Sequence, residues 1–174
     1  VITVLKNDES ITPEEFLRRE RNPIYIVLDN LRSAYNVGAI FRTCDAFVVK
    51  KLFLCGITAH PPHLKLKKTA MSSDEFVPWE YGRETIEVVS GLQSQGVRVY
   101  SCERTEKSTS LNDIKIQYPC GLVFGNEAEG VSGKVLEVSD EIIEIPMGGI
   151  KNSLNVATTV GIVLYTVVYK NPGT

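Results

Sequence analysis

The sequence predicts an α/β domain built on a parallel sheet with flanking helices. Three observations lead there. Short unbroken apolar runs recur at residues 24–28 (IYIVL), 51–55 (KLFLC), 97–101, 120–124 (CGLVF) and 142–145, as strands covered on both faces require. Segments of helical period lie between them. A strand, a helix and a second strand in that order imply a parallel βαβ unit, because parallel strands need a crossover.

The 174 residues are most simply one domain, long enough for a substantial core. The composition, 43% hydrophobic and 23% charged, is that of a globular protein. Net charge is −2, so any nucleic-acid contact must rest on a local basic patch. Cys44, Cys55, Cys102 and Cys120 show no CxxC spacing and read as reduced, mostly buried thiols. The opening VITVLKNDES lacks a signal-peptide pattern, which makes a cytoplasmic location the default expectation.

Residues 1–22 read as an N-terminal extension. Within it, TPEEFLRRERN is a short helix capped by Ser10 or Thr12, with Pro13 at its first position. Arg18, Arg19 and Arg21 are either a solvated face or an arm for nucleic acid. After the first strand, DNLRSAYNVGAIFRTCDAF turns helical: Val37, Ile40, Phe41 and Cys44 share a face, and Asn36 stands at the entrance. Gly38 and Arg42, four apart, lie on one helix side. Such a glycine either leaves room for a ligand to approach the arginine or lets another helix pack closely.

Pro61–Pro62 marks a loop, flanked by His60 and His63. These two histidines lack a third ligand, so no metal site is expected. Lys65, Lys67 and Lys68 form the densest basic run, near Trp79 and Tyr81. A basic segment beside aromatics can hold a nucleic-acid backbone and base, although such runs are often only solvated. Residues 83–95 read as a helix ended by Gly96. The strand at 120–124 runs into GNEAEG, where Gly125 and Gly130 bracket Asn126, Glu127 and Glu129. Neither the phosphate-cradling GK[ST] ending nor GxGxxG is present. A short helix follows at 132–138.

The stretch 142–169 organises the chain: a β-branched strand, Pro146 to stop it, a turn at Gly148–Gly149, and a helix opened by Ser153. That helix is apolar on several faces and uncharged from Asn152 to Tyr169. It reads as a core helix needing cover on more than one side, not a membrane span, because five Ser, Thr and Asn side chains crowd its start. Ser153 and Asn155 beside free helix amides would suit a small polar ligand.

Three motifs stand in order: Asn36-x-Gly38-x-x-x-Arg42, Gly125-x-Glu127-x-x-Gly130, and Ile145-Pro146-Met147-x-Gly149-x-x-x-Ser153-Leu154-Asn155-Val156. The set resembles the SpoU (TrmH-like) branch of the SPOUT RNA methyltransferases over residues 23–169. The resemblance implies a parallel α/β sheet with a C-terminal trefoil knot, formed by a domain of residues 23–174. It also implies a homodimer with its site near the subunit interface; the absence of membrane association follows from the polar start of the last helix. The implied reaction is methyl transfer from S-adenosylmethionine to a ribose 2′-hydroxyl of tRNA or rRNA, with tRNA preferred. S-adenosylhomocysteine is the product and no metal takes part. Carried over by position, Arg42, Asn36, Glu127, Ser153 and Asn155 surround the reacting ribose. Gly125, Ile145, Leu154, Met147, Gly149, Cys102 and Glu103 bind the cofactor. Arg42 is implied as the group that activates the hydroxyl. A guanidinium with a pKa above about 12 suits charge stabilisation better than proton abstraction, which makes Glu127 the rival base. Val48, where the family often has glycine, and Ala157 and Thr158 depart from the pattern outside the motifs.

Overall fold

The computed structural model describes residues 11–170. Among them, seven strands form one sheet: β1 (Asn22–Asp29), β2 (Val49–Cys55), β3 (Trp79–Gly82), β4 (Arg98–Cys102), β5 (Thr109–Ser110), β6 (Cys120–Phe124) and β7 (Glu141–Glu144). Their order is β3-β2-β1-β6-β4-β7-β5, and every neighbouring pair is parallel. The helices are α1 (Pro13–Arg18), α2 (Ala34–Ala46), α3 (Leu64–Ala70), α4 (Thr85–Ser94), α5 (Gly133–Val138) and α6 (Val156–Tyr165).

Alternate residues of each strand face opposite sides of the sheet, and both sides are covered. Ile24, Ile26 and Leu28 pack with Phe41 of α2, Leu66 of α3, and Val160 and Leu164 of α6. Val27 points the other way, into a second core with Val89 and Leu92 of α4 and Val135 of α5. This two-sided cover is why the strands read as unbroken apolar runs.

The N-terminal helix forms as its sequence dictates. Thr12 accepts from Glu15 N–H while the Glu15 carboxylate accepts from Thr12 N–H, with Pro13 at the first helical position. Ser10 lies outside the described residues. Phe16 meets Phe76 edge-on. Arg21 sits over the Phe16 ring and donates to the carbonyls of Val49 and Phe76. At least this arginine is therefore an anchor that fastens the extension to the sheet, not part of a free basic arm.

In α2 the expected face, Val37, Ile40, Phe41 and Cys44, is buried. Gly38 decides between its two sequence readings. A Cβ there would meet Thr69 Oγ1 and the Leu66 carbonyl, so α3 occupies the space and the glycine serves helix packing. Three short elements, α3, β3 and β5, are absent from the sequence reading. α3 has only Leu66 and Ala70 buried, too brief a stripe to stand out beside the Pro61–Pro62 loop. β3 is a four-residue edge strand. The last helix also begins later than Ser153: Asn155 is the cap, its Oδ1 accepting from Ala157 N–H at 2.9 Å and Thr158 N–H at 3.4 Å. The helix continues into a π-helical turn, Thr166–Lys170. Val160, Val163, Leu164 and Val167 are buried, whereas Ile162, Tyr165 and Tyr169 are exposed. None of the described helices is long and apolar enough to cross a membrane.

The first three strands progress outward from β1, and the chain then crosses through α4 to the other half of the sheet. β6 inserts between β1 and β4, and β7 between β4 and β5. The reversal leaves a crevice beyond the carboxyl ends of β4, β6 and β7, where parallel sheets place their ligands.

Candidate active site

Beyond those strand ends lies a cleft of about 830 Å³, a volume suited to a cofactor-sized ligand. Its walls are Cys102–Glu106 after β4, Phe124–Gly130 after β6, Ile143–Ile145 with Met147 after β7, and Asn152–Val156 at the head of α6.

Three carboxylates fix the loop after β6. Glu103 accepts from Val131 N–H at 3.0 Å and from Arg104 N–H at 2.9 Å. Asp29, 1% exposed, accepts from Ser132 N–H at 2.8 Å, with Thr85 and Asn30 completing its shell. Glu127 reaches across to the entrance of α2, accepting from Arg32 N–H at 2.8 Å, Ser33 N–H at 3.0 Å and Asn36 Nδ2 at 2.9 Å. The amide chain continues: Asn155 Nδ2 donates to Asn36 Oδ1 at 3.1 Å. Asn36, Glu127 and Asn155, named from separate motifs, thus form one hydrogen-bonded cluster at the lip of the cleft.

Partial burial pushes the Glu127 carboxyl up, but its hydrogen bonds from Arg32, Asn36 and Ser33 outweigh that and hold it below its ordinary value of 4.5. These bonds favour the ionised form and occupy both oxygens, so the apo geometry suits a positioning group better than a proton acceptor. A lowered folded-state value means the stabilisation is fully present above pH 4.5 and is lost as pH falls through the folded value. Glu127→Gln should therefore lower the melting temperature at pH 7 but approach wild type near pH 3. Thermal unfolding at the two pH values checks this, and an equal deficit at both would show that the carboxylate charge is irrelevant. Cys102 is at the cleft wall, where burial drives its thiol well above the usual range. It is a neutral wall group.

The placements sort the expected residues. Gly125, Ile145, Met147, Leu154, Cys102 and Glu103 line the cleft with Glu127, Ser153 and Asn155. Three residues fall outside its lining. Asn36 is held at the lip by its bonds to Glu127 and Asn155 without lining the cleft. Gly149 is exposed, has no positive φ, and a Cβ there would meet nothing within 4 Å. Arg42 is six residues beyond Asn36, about 9 Å along α2 and about 120° round it. It is exposed and does not line the cleft of its own chain. The sequence reading missed Asp29 and Asn126, whose Nδ2 donates to Asn30 O at 2.7 Å. Their only signal is a polar residue directly after an apolar strand or its glycine.

Glu103, Glu106, Glu127, Glu129 and Glu144 line the cleft against a single cation, Arg104. From Ile145 to Leu154 no backbone group bonds another among the described residues. An acidic crevice with unpaired backbone donors and acceptors fits a cationic, polar cofactor.

A parallel sheet whose order reverses at such a crevice is that of a ligand-binding α/β protein. The solved TrmH/SpoU tRNA modifying enzyme of Aquifex aeolicus superposes with a TM-score of 0.79 at 28% identity, covering 88% of this chain and 77% of that one. An AdoMet-bound rRNA methyltransferase from Sinorhizobium meliloti superposes at 0.78 with 28% identity, covering 84% of this chain and 56% of that one. In sequence, the tRNA (guanosine(18)-2′-O)-methyltransferase of Aquifex aeolicus is 30% identical over 87% of this chain and 71% of its own. The profile of the SpoU rRNA Methylase family matches residues 23–165, and the chain belongs to that family.

Proposed function

We propose that this protein methylates a ribose 2′-hydroxyl of RNA with S-adenosylmethionine as donor, and that the RNA is a tRNA. The observation that carries the reading is the Asn36–Glu127–Asn155 cluster at the lip of an acidic cleft, in a chain of the SpoU family. When bound, the cofactor supplies an electrophilic methyl group and leaves as S-adenosylhomocysteine. Everything else is alignment and charge. The cleft carboxylates offset the cationic donor. The unpaired backbone of residues 146–154 and the Gly125 loop hold its polar edges. Asn36 and Asn155 present amides to the ribose hydroxyls, locked in orientation by Glu127 and by the α6 cap. The Ser153 hydroxyl, with no partner among the described residues, is free to bond the substrate.

Arg42 completes the site from a second chain. It lies outside its own cleft, and α6, which packs on α2, and the π-helical turn after it expose Ile162, Tyr165 and Tyr169. Gly161 has open space above it, leaving room for a close neighbour. A homodimer through this face covers the apolar residues and brings one chain's Arg42 toward its partner's cleft. The guanidinium then stabilises the developing alkoxide. The domain of residues 23–174 carries the reaction, and residues 1–22 extend it. β6 and β7 each insert between other strands, which supports a C-terminal trefoil knot in that domain. A cytoplasmic enzyme follows from an intracellular cofactor and substrate.

The test is transfer of labelled methyl from S-adenosylmethionine to separate tRNA and rRNA fractions, with nucleoside mapping and sedimentation of the same sample. Label on a 2′-O-methyl nucleoside of tRNA and a dimer are expected. Label in rRNA alone would correct the substrate, and no transfer by a folded, cofactor-binding dimer would overturn the activity.

A further inference from the structure

The cleft cannot itself hold an RNA backbone, because five of its lining residues are glutamates and one is arginine. With a net charge of −2 over the whole chain, the phosphates need a separate basic surface. The described residues contain one beside α2. Lys65, Lys67 and Lys68 are all exposed on α3. Lys67 stands 3.9 Å from Glu75, while Lys65 and Lys68 have no carboxylate partner among the described residues.

A second, independent feature adjoins them. The loop before α3 brings His60 onto Trp79, with ring centroids 5.9 Å apart and planes 19° apart. The same imidazole lies 5.3 Å from the Tyr81 ring. Trp79 packs into the core on the α2–α3 side of the sheet, while His60 and Tyr81 are exposed at that edge. Neither exposed ring is needed to fill the core, yet both are held in place. Tyr81 donates to the Gly56 carbonyl at 3.2 Å, and His60 leans on Trp79.

This surface is mechanically joined to the reaction site. Thr69 of α3 donates to the Tyr35 carbonyl at 2.9 Å, and Tyr35 precedes Asn36. The loop carrying His60 is tied through Thr58, which accepts from Leu31 N–H at 3.0 Å, to the segment whose Arg32 and Ser33 hold Glu127. Arg42 follows Gly38, which α3 packs against, by one turn of α2, and is itself exposed.

We propose that α3 and the His60–Tyr81 edge form the substrate-docking surface: Lys65 and Lys68 take backbone phosphates, and the exposed rings stack an unpaired base. The partner is an RNA segment with bases splayed out of a duplex, since a ring face reads an unstacked base and a lysine reads a phosphate. The inference rests on the RNA-methylation reading and adds where the RNA is held. Neither lysine nor the two rings line the cleft, so substitutions there leave the chemistry in place.

The experiment measures equilibrium binding of unmodified tRNA to the 174-residue protein across a range of salt concentrations, together with single-turnover methyl transfer at saturating RNA. The Lys65→Ala/Lys68→Ala double variant should reduce the slope of log affinity against log salt by about 1.5, close to two lost phosphate contacts. Its saturated rate should match wild type. Tyr81→Ala should weaken binding about tenfold with an unchanged slope, and Tyr81→Phe, which keeps the ring, should restore it. Wild-type slope and affinity in the double variant would overturn the surface while leaving the methyltransferase reading intact. Failure of the wild-type protein to bind or methylate any RNA would overturn both.

Discussion

Arg42→Ala lowers single-turnover methyl transfer by about 10²–10³-fold, the usual cost of removing one preorganised electrostatic donor. S-adenosylmethionine affinity stays at the wild-type value, because the cleft proposed to hold it is walled by the loops after β4, β6 and β7 and not by Arg42. Stability also holds, since Arg42 is exposed and makes no hydrogen bond or ion pair among the described residues. Arg42→Lys loses nearly as much rate, because a point charge does not replace a planar fork. The proposed trans arrangement has its own readout. Neither Arg42→Ala chains nor Asn155→Ala chains have a complete site. Mixed after dissociation and reassociation, they form hybrid dimers with one intact site. For statistical mixing that restores about a quarter of wild-type activity. No recovery, with hybrid dimers demonstrated, would place Arg42 in its own chain's site or in none.

Gly125→Ala produces the other large effect, and not through a ligand clash. A Cβ at that position would overlap the Gly130 carbonyl carbon and the Val131 nitrogen, because the loop doubles back through paired Asn126–Gly130 backbone bonds of 3.0 and 2.9 Å. Backbone on both sides leaves nothing flexible to yield. The loop must open, at a cost of about 1–3 kcal/mol, which lowers the melting temperature by about 5 °C in a protein of this size. Glu127 and the Glu103–Val131 bond shift with it, and a displacement near 1 Å is enough to cost about 10²-fold in rate. The sequence alone treats Gly125 and the Gly148–Gly149 turn alike, as bare backbone for a ligand to approach. The structure separates them. Gly149→Ala meets open space and should leave unfolding within about 0.5 kcal/mol of wild type. Calorimetry of the two variants makes the comparison, and equal stability of Gly125→Ala and wild type would refute the steric account.

The sheet was legible because its strands are buried on both faces. Residues 24–28, 51–55 and 120–124 carry no polar face to confuse the period, and each is a strand. β5, two residues long, carries no period at all. α3 was hidden for a different reason. Its buried positions are Leu66 and Ala70, and the lysines that fill the rest of it look the same in a loop. In the site, the motif residues at strand ends landed in the cleft because a parallel sheet collects those ends at one edge. Arg42 did not, because a helix carries successive residues away along its axis, and motif spacing says nothing about which chain's cleft a residue serves. The start of α6 was misread by two residues: Ser153 and Asn155 are both good caps, and only the geometry shows which oxygen faces the free amides.

The amide chain at the lip of the cleft has a consequence for how the enzyme is made. Asn36 bonds to Glu127 across 91 positions of sequence and to Asn155 across 119. Contacts this distant close last, after the loop entropy between them has been lost. On a ribosome, β1 and α2 emerge long before the residues that lock Asn36 in place. A growing chain holds no partial cluster: Asn36, Glu127 and Asn155 come together only when the final helix docks. Recovery of activity during refolding therefore reports completion of the fold, and will lag behind any probe of the β1–β2 pairing.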